Sequence, residues 1–167
     1  TLDGNTSVIA GNKIGIKVTG GACANAENGI IMYSFADNNT IGGDISDESN
    51  TIAHNTLDGI FNSHANADGN QILRNSIYQN TDKGIDLAVG ANNSQASPTI
   101  TGEACSGTSI NIIGTAASSG ETIQLFVADS NYQEGQTYLG QGISDSSLNW
   151  RVKLPSNQGT MVGTATH

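Results

Sequence analysis

Three polar residues in the first half of the chain have the types and spacing of a site that acts on sugars. Asp58 directly precedes Gly59, and Asp82 lies two residues before Gly84, so both carboxylates accompany the same Gly-Ile step. Paired carboxylates perform the acid–base steps of glycoside hydrolysis, and His54 lies close to the first of them. The alternative is a set of solvated corner residues, because Asp commonly precedes Gly in turns. The sequence contains no catalytic signature of a lyase or hydrolase, which favours this alternative.

A second group of carboxylates is compact in sequence. Asp44, Asp47 and Glu48 fall within five residues, and oxygen-rich clusters of this kind suit Ca²⁺. Their spacing matches neither an EF-hand nor a nonapeptide calcium repeat, so a solvated acidic loop is the favoured alternative. Asp129, Asn131 and Glu134 form a weaker group of the same type. The sequence indicates no other cofactor.

Three further residues are candidates for contacts or cross-links. Among the aromatic side chains, Tyr132, in an expected loop, is the best candidate to stack on an outside partner, although an idle surface tyrosine is the favoured alternative. Cys23 and Cys105 lie far apart and have no CxxC spacing. They form either a disulfide, in an oxidising compartment, or two free buried thiols, and the sequence leaves both open.

Composition narrows the class of protein. Six Lys and Arg residues against 15 Asp and Glu residues give a net charge of −9, which argues against a nucleic-acid binder. Asn, Gly, Ser and Thr are abundant and favour turns and strands over helices. No segment has a sustained 3.6-residue apolar stripe, and no apolar run is long enough to cross a bilayer. We therefore expect almost no helix and no transmembrane segment.

The first half of the chain repeats. The pattern Asn-x-x-x-Gly-Ile begins at Asn25, Asn55 and Asn80, and the pattern Asn-x-Ile occurs five times around it. Units that recur at spacings of 30 and then 25 residues predict stacked coils of very short parallel strands. One Ile or Leu per strand would point inward, and Asn would occupy sharp corners. Its amide would hydrogen-bond to the Asn of the next coil as a ladder. The glycines before Ile are expected at corners with positive φ.

These repeats resemble a known group of proteins. The segments NTIGG (39–43), NTIAHN (50–55) and GIDL (84–87) are similar to those of bacterial right-handed parallel β-helix repeat proteins, which share a pectate-lyase-like architecture. The resemblance implies a β-helix of about four coils over residues 1–94. It is weak for function, because the same fold carries lyases, hydrolases, epimerases and plain surface proteins.

The second half changes to a period of two. Leu148, Trp150, Val152 and Leu154 alternate with polar residues, as in a half-buried strand. Similar alternation predicts strands at 109–115, 121–129, 137–143 and 147–154. Strands at this spacing indicate a small immunoglobulin-like β-sandwich over residues 95–167. The segment EGQTYLG (134–140) resembles part of the sandwich that follows such β-helices, and the resemblance implies that this domain is truncated.

Together these patterns favour a structural or adhesive module, able to bind glycans, in a secreted or cell-surface bacterial protein. The expected location is extracellular, and the expected partners are polysaccharide or neighbouring subunits. One alternative is a fragment of a polysaccharide-active lyase, hydrolase or epimerase. Another is a filament subunit joined by strand addition. The sequence leans against an enzyme because the repeat pattern is complete and no catalytic pattern accompanies it.

Overall fold

The regular structure of this chain is almost entirely β-strand. The computed structural model describes residues 1–130 and 134–155. In that part of the chain, nine short strands pair in parallel and five longer strands then pair in antiparallel. One helical turn is present at Ser46–Glu48, and Ala91–Ser94 forms a tight turn in which Asn92, Asn93 and Ser94 have positive φ. The all-β class expected from the sequence is confirmed.

The nine parallel strands form three sheets, which the chain enters in a fixed cyclic order. One passage through all three sheets is called a round below. The first sheet contains β1 (Val8–Ile9), β4 (Thr40–Gly42) and β7 (Gln71–Leu73). The second contains β2 (Lys13–Ile14), β5 (Thr51–Ala53) and β8 (Ser76–Tyr78). The third contains β3 (Ile30–Met32), β6 (Ile60–Asn62) and β9 (Ile85–Leu87). A parallel bridge from Leu2 to Met32 extends the third sheet by one more level.

Isoleucines align from strand to strand and form the core between the three sheets. Each strand is only two or three residues long and contributes one isoleucine to a column that runs through its sheet. The columns are Ile9, Ile41 and Ile72; Ile14, Ile52 and Ile77; and Ile30, Ile60 and Ile85. All nine belong to a single apolar cluster. Strands this short are marginal alone, so packing between the columns stabilises the sheets.

Two insertions explain why the repeat length varies. Between β2 and β3 the chain makes an excursion closed by an antiparallel bridge from Ile16 to Ala22. Between β4 and β5 residues 43–50 include the turn Ser46–Glu48, whereas β7 and β8 are separated by two residues only, Arg74 and Asn75. The strands keep their register despite both insertions, because the added residues are confined to corners.

The five antiparallel strands form two small sheets. The first contains β10 (Thr99–Ser106), β11 (Ser109–Thr115) and β14 (Asn149–Pro155), and the second contains β12 (Thr122–Ala128) and β13 (Gly135–Ile143). The two sheets share one apolar core of Ile112, Ile123, Leu125, Trp150, Val152 and Leu154. The hairpin sheet also contacts the parallel segment, because β13 packs against β8.

The predicted strands of this segment are present, with two corrections. β10 had no predicted counterpart; its ladder to β11 shifts register between Ile100 and Gly102, and its residues do not alternate cleanly. Leu148 was predicted to share the inner face of β14, and that prediction is wrong. Leu148 lies before the strand, at φ 65°, and is 37% exposed. Trp150 is buried in the core, as the alternation predicted.

Candidate functional site

Columns of asparagine connect successive rounds at three corners, and the amide ladder expected from the sequence is confirmed. Along a column, an amide Nδ2 donates to the Oδ1 of the next asparagine at 2.7–3.1 Å, and a backbone N–H often donates to the same oxygen. In the last step of the third column, the Asn70 backbone N–H donates to Asn92 Oδ1 and Asn92 Nδ2 donates to the Asn70 carbonyl. The columns are Asn12, Asn50 and Asn75; Asn25, Asn55 and Asn80; and Asn39, Asn70 and Asn92.

The sharp backbone at these corners lies one residue earlier than expected. His54 and Gln79 have φ of 60° and 53° and directly precede Asn55 and Asn80. The asparagine therefore supplies the ladder, and its predecessor supplies the left-handed turn. Gly59 was also expected to need positive φ, and that is wrong. A Cβ there would lie 2.6 Å from the Gly84 carbonyl oxygen of the next round, so close stacking is what requires glycine.

Asp58 is a buried carboxylate held by the backbone of the next round. It is 7% exposed, and its Oδ1 accepts a hydrogen bond from the Lys83 N–H at 3.0 Å. Its own N–H donates to the Oδ1 of Asn28 at 2.9 Å. Burial raises the pKa of Asp58, and the negative charges of Asp86 and Asp82 add to this effect, while the Lys83 hydrogen bond opposes it. Asp58 thus serves as one rung of a further side-chain ladder.

The sequence suggested that Asp58 and Asp82 occupy equivalent positions in successive rounds. The structure shows that they do not. The pairing of Ile60 with Ile85 places Asp58 level with Lys83 and Asp82 level with Leu57. The Asp82 N–H accordingly donates to the Leu57 carbonyl at 3.3 Å. The register is one residue away from a matched carboxylate pair, so Asp58 has a lysine as its neighbour in the stack.

Lys83 brings a positive charge to this group of acids. Its Nζ forms an ion pair with the Asp86 carboxylate at 2.6 Å on the surface. The hydrogen bond and charge of Asp86 raise the pKa of Lys83. Because one ammonium lies among three carboxylates, the surface around Asp58 is less acidic than the sequence alone suggests.

Other polar residues near the predicted site have separate partners. The ring of His54 packs edge-on against Tyr78, with centroids 5.9 Å apart. His64 instead shares a hydrogen bond with Ser63, at 2.8 Å between the His64 Nδ1 and the Ser63 hydroxyl oxygen. Arg74 lies over the ring of Tyr138 at 4.2 Å. These three residues therefore occupy different environments, and the structure does not group them with Asp58.

The acidic loop forms the insertion between β4 and β5. The Asp44 carbonyl accepts from Arg74 Nη1 at 2.7 Å, and Glu48 Oε2 accepts from the Ile45 N–H at 3.3 Å. Asp47 is exposed. Within residues 1–130 and 134–155, no group of three or more His, Cys, Asp or Glu side chains is arranged to hold a metal ion. Calcium binding at this loop stays a prediction.

Two of the remaining sequence candidates, Asn131 and Tyr132, lie outside the described residues. Cys23 and Cys105 are both free and exposed, where the sequence had left open a disulfide or two buried thiols. Cys23 follows the excursion between β2 and β3, and Cys105 lies in β10.

A cluster at the junction of the two segments is more closely knit than any of the predicted sites. Glu134 is 2% exposed, and its two oxygens accept from the Asn80 Nδ2 at 2.7 Å and the Asn80 N–H at 2.8 Å. Asp129 is likewise buried, and its carboxylate lies close enough to raise the pKa of Glu134. Asp129 Oδ2 accepts from the Gln79 N–H at 3.1 Å. We call these four residues the carboxyl junction.

Burial controls the charge of this cluster. Desolvation, followed by the nearby Asp129 carboxylate, raises the pKa of Glu134 to about 7, although the two hydrogen bonds from Asn80 oppose the shift. The sequence had grouped Asp129 and Glu134 only as a weak calcium candidate. The sequence signal for such a cluster was the asparagine ladder. The column of Asn55 and Asn80 needs an acceptor beyond its last asparagine, although the ladder does not identify the residue that supplies it.

Comparisons with known proteins add no assignment. No protein-family model matches the chain, and no curated protein matches it. No helix in the described part of the chain is long and apolar enough to span a membrane.

Proposed function

We propose that this chain is a structural or adhesive module of a secreted or cell-surface bacterial protein. In this proposal the three parallel sheets are the faces of a right-handed parallel β-helix of the pectate-lyase-like type. The antiparallel sheets form an immunoglobulin-like sandwich attached to it. The cyclic strand order and the three isoleucine columns support the helix. The shared core of the two antiparallel sheets supports the sandwich.

The observation that carries the proposal is the continuous ladder of Asn25, Asn55, Asn80 and Glu134. Buried polar side chains at the corners are used to join one round to the next and the last round to the hairpin sheet. In a chain built in this way, the buried polar side chains hold successive rounds rigidly together. Rigid repeated layers suit a stalk or a display scaffold, in which length and stiffness are the useful properties.

The adhesive part of the proposal concerns the outer surface. His54, Asp82 and Tyr132 remain candidates for contact with extracellular polysaccharide, as does Asp58 although it is only 7% exposed. The loop of Asp44–Glu48 remains a candidate for Ca²⁺. The packing of His54 against Tyr78 supports a sugar contact, because an aromatic face beside polar groups suits carbohydrate.

A polysaccharide-active enzyme is the second candidate, and Asp58 is the observation that favours it. A buried carboxyl with a raised pKa is typical of a general acid. Its hydrogen bond from Lys83 weighs against this role, because one of its oxygens already has a structural partner. The proposed module is therefore favoured over the enzyme.

One experiment separates the two functions. The full chain is incubated with a panel of acidic and neutral polysaccharides, with Ca²⁺ or with a chelator, and both bound protein and released sugar ends are measured. The proposal predicts no release of unsaturated or reducing ends, whether or not the chain is retained on a polysaccharide. Release that disappears in Asp58→Asn or Asp82→Asn, but persists in the exposed control Asp3→Asn, would establish the enzyme and overturn the proposal.

A further inference from the structure

Two carboxyl groups from the antiparallel segment meet the last corner of the parallel segment. Asp129 directly follows β12 and Glu134 directly precedes β13, and the Asp129 N–H donates to the Glu134 carbonyl at 2.9 Å. Their side chains accept three hydrogen bonds from Gln79 and Asn80, at 2.7–3.1 Å. The contacts between the two segments at this corner therefore depend on both carboxyl groups.

The proximity of two buried carboxyl groups favours a proton on one of them. Two ionised carboxylates have only acceptors, so a bond between Asp129 and Glu134 requires one of them to carry hydrogen. Glu134 is almost fully buried, and its pKa is raised by desolvation and by the Asp129 charge. A neutral Glu134 can donate to Asp129 and retain acceptor capacity for Asn80. An ionised Glu134 places a second negative charge beside Asp129 in a buried site.

Among the residues that the structure describes, few groups could neutralise that second charge. From the parallel segment, both Glu134 oxygens accept from Asn80, and the Glu134 Cβ and Cγ pack close to Gly84. The titratable residues of that corner are Asp82 and Lys83, and Lys83 is already paired with Asp86. From the antiparallel segment the facing charge is Asp129.

We propose that the carboxyl junction is a pH-sensitive joint, in which a proton shared by Glu134 and Asp129 holds the hairpin sheet of β12 and β13 on the last round of parallel strands. The joint is tight in mildly acidic solution and loosens as the pH rises through neutrality. This device goes beyond the proposed function, because it operates whether or not the chain binds or cleaves a glycan.

The sign follows from linkage. Glu134 has a higher pKa in the folded chain than its ordinary value of 4.5. Its protonation therefore contributes stability that is fully present below pH 4.5 and is lost as the pH rises to about 7. The free energy for opening the junction should decrease over this window and change little above it.

The test is amide hydrogen exchange of the full chain between pH 5 and pH 8, corrected for the intrinsic exchange rates. The opening equilibrium at the Gln79 and Asn80 amides should increase by roughly tenfold or more over this range. In Glu134→Gln, which cannot ionise, the increase should disappear. In the surface control Glu103→Gln, the increase should persist as in the wild type. An equal increase in wild type and Glu134→Gln overturns the proposal.

Two further measurements keep the test decisive if Glu134→Gln folds poorly. In Asp129→Asn the new amide can donate to Glu134 without a charge, so the window of pH dependence should move to lower pH. A carbon NMR titration of the wild-type Glu134 carboxyl should find a midpoint well above that of exposed glutamates. An ordinary midpoint, or an unmoved window in Asp129→Asn, overturns the proposal.

Discussion

Removal of one buried rung tests whether the asparagine ladders stabilise the parallel segment. Asn55 is fully buried, donates from Nδ2 to Asn80 at 2.7 Å and accepts from Asn25 at 2.8 Å. Asn55→Ala removes both bonds, at about 1 kcal/mol each, and vacated volume adds about 1 kcal/mol. Asn80 Oδ1 keeps the backbone N–H of residue 55, so no buried acceptor is orphaned. The free energy of unfolding should fall by about 3 kcal/mol.

Asn25→Ala is the matched control, because Asn25 stands in the same column but is exposed. It removes a single bond but leaves Asn55 Oδ1 without that donor, so it should cost about 1–2 kcal/mol, still less than Asn55→Ala. Both variants are unfolded in urea and followed by far-ultraviolet circular dichroism and by the fluorescence of Trp150, with the slope required to match the wild type. If Asn55→Ala loses no more stability than Asn25→Ala, the ladder does not stabilise the stack and the reasoning is refuted.

Asn55→Asp separates the hydrogen bond from the loss of volume. The side chain keeps its size, but an oxygen replaces the donor and faces Asn80 Oδ1. At neutral pH the cost should at least equal that of the alanine variant, since repulsion is added to the lost bond. At low pH the protonated aspartate again offers a donor, and part of the stability should return. Equal stability losses at both pH values would show that the donor is unimportant.

Three shorter predictions concern other parts of the structure. Gly59→Ala should lower the free energy of unfolding by about 2 kcal/mol, because the added methyl group meets the backbone of the next round; unchanged urea denaturation would contradict this. Asp58→Asn retains the acceptor for Lys83 and removes a carboxyl whose pKa is raised. In thermal denaturation at pH 8 the substitution should therefore leave the stability unchanged or increase it. A marked loss of stability would contradict this. Val152→Ala should lower the free energy of unfolding in urea by about 2 kcal/mol, because Val152 is 1% exposed. Arg151 is exposed, so Arg151→Ala should cost less than about 0.5 kcal/mol. Equal losses of stability would contradict the assignment of the buried and exposed faces of β14.

Periodicity predicted those elements in which one type of residue repeats at a fixed structural position. The columns of isoleucine and asparagine could be predicted because every round uses the same side chain at the same level. β14 could be predicted because Trp150, Val152 and Leu154 are all buried. Leu148 continued that alternation in the sequence but belongs to a turn, so period two alone did not define where the strand begins.

The candidate acid pair shows what a closer reading of the repeat would have found. Asp58 and Lys83 both stand directly before the glycine of a Gly-Ile step, so a strict count from that step pairs them. Glu134 could not be predicted in this way. It lies outside the repeats, 54 residues after Asn80, and only the three-dimensional arrangement of the hairpin sheet brings the two together.

The junction solves a general problem of stacked parallel strands. Each round leaves backbone N–H groups that the next round must accept, and an unpaired buried group costs about 1–3 kcal/mol. After the last round, Gln124, Asp129 and Glu134 accept these donors with their side chains, from Arg74, Gln79 and Asn80 respectively. Long acceptor side chains on an antiparallel hairpin thus replace a further round. Because two of the three are carboxyl groups, the same solution makes the attachment sensitive to protons.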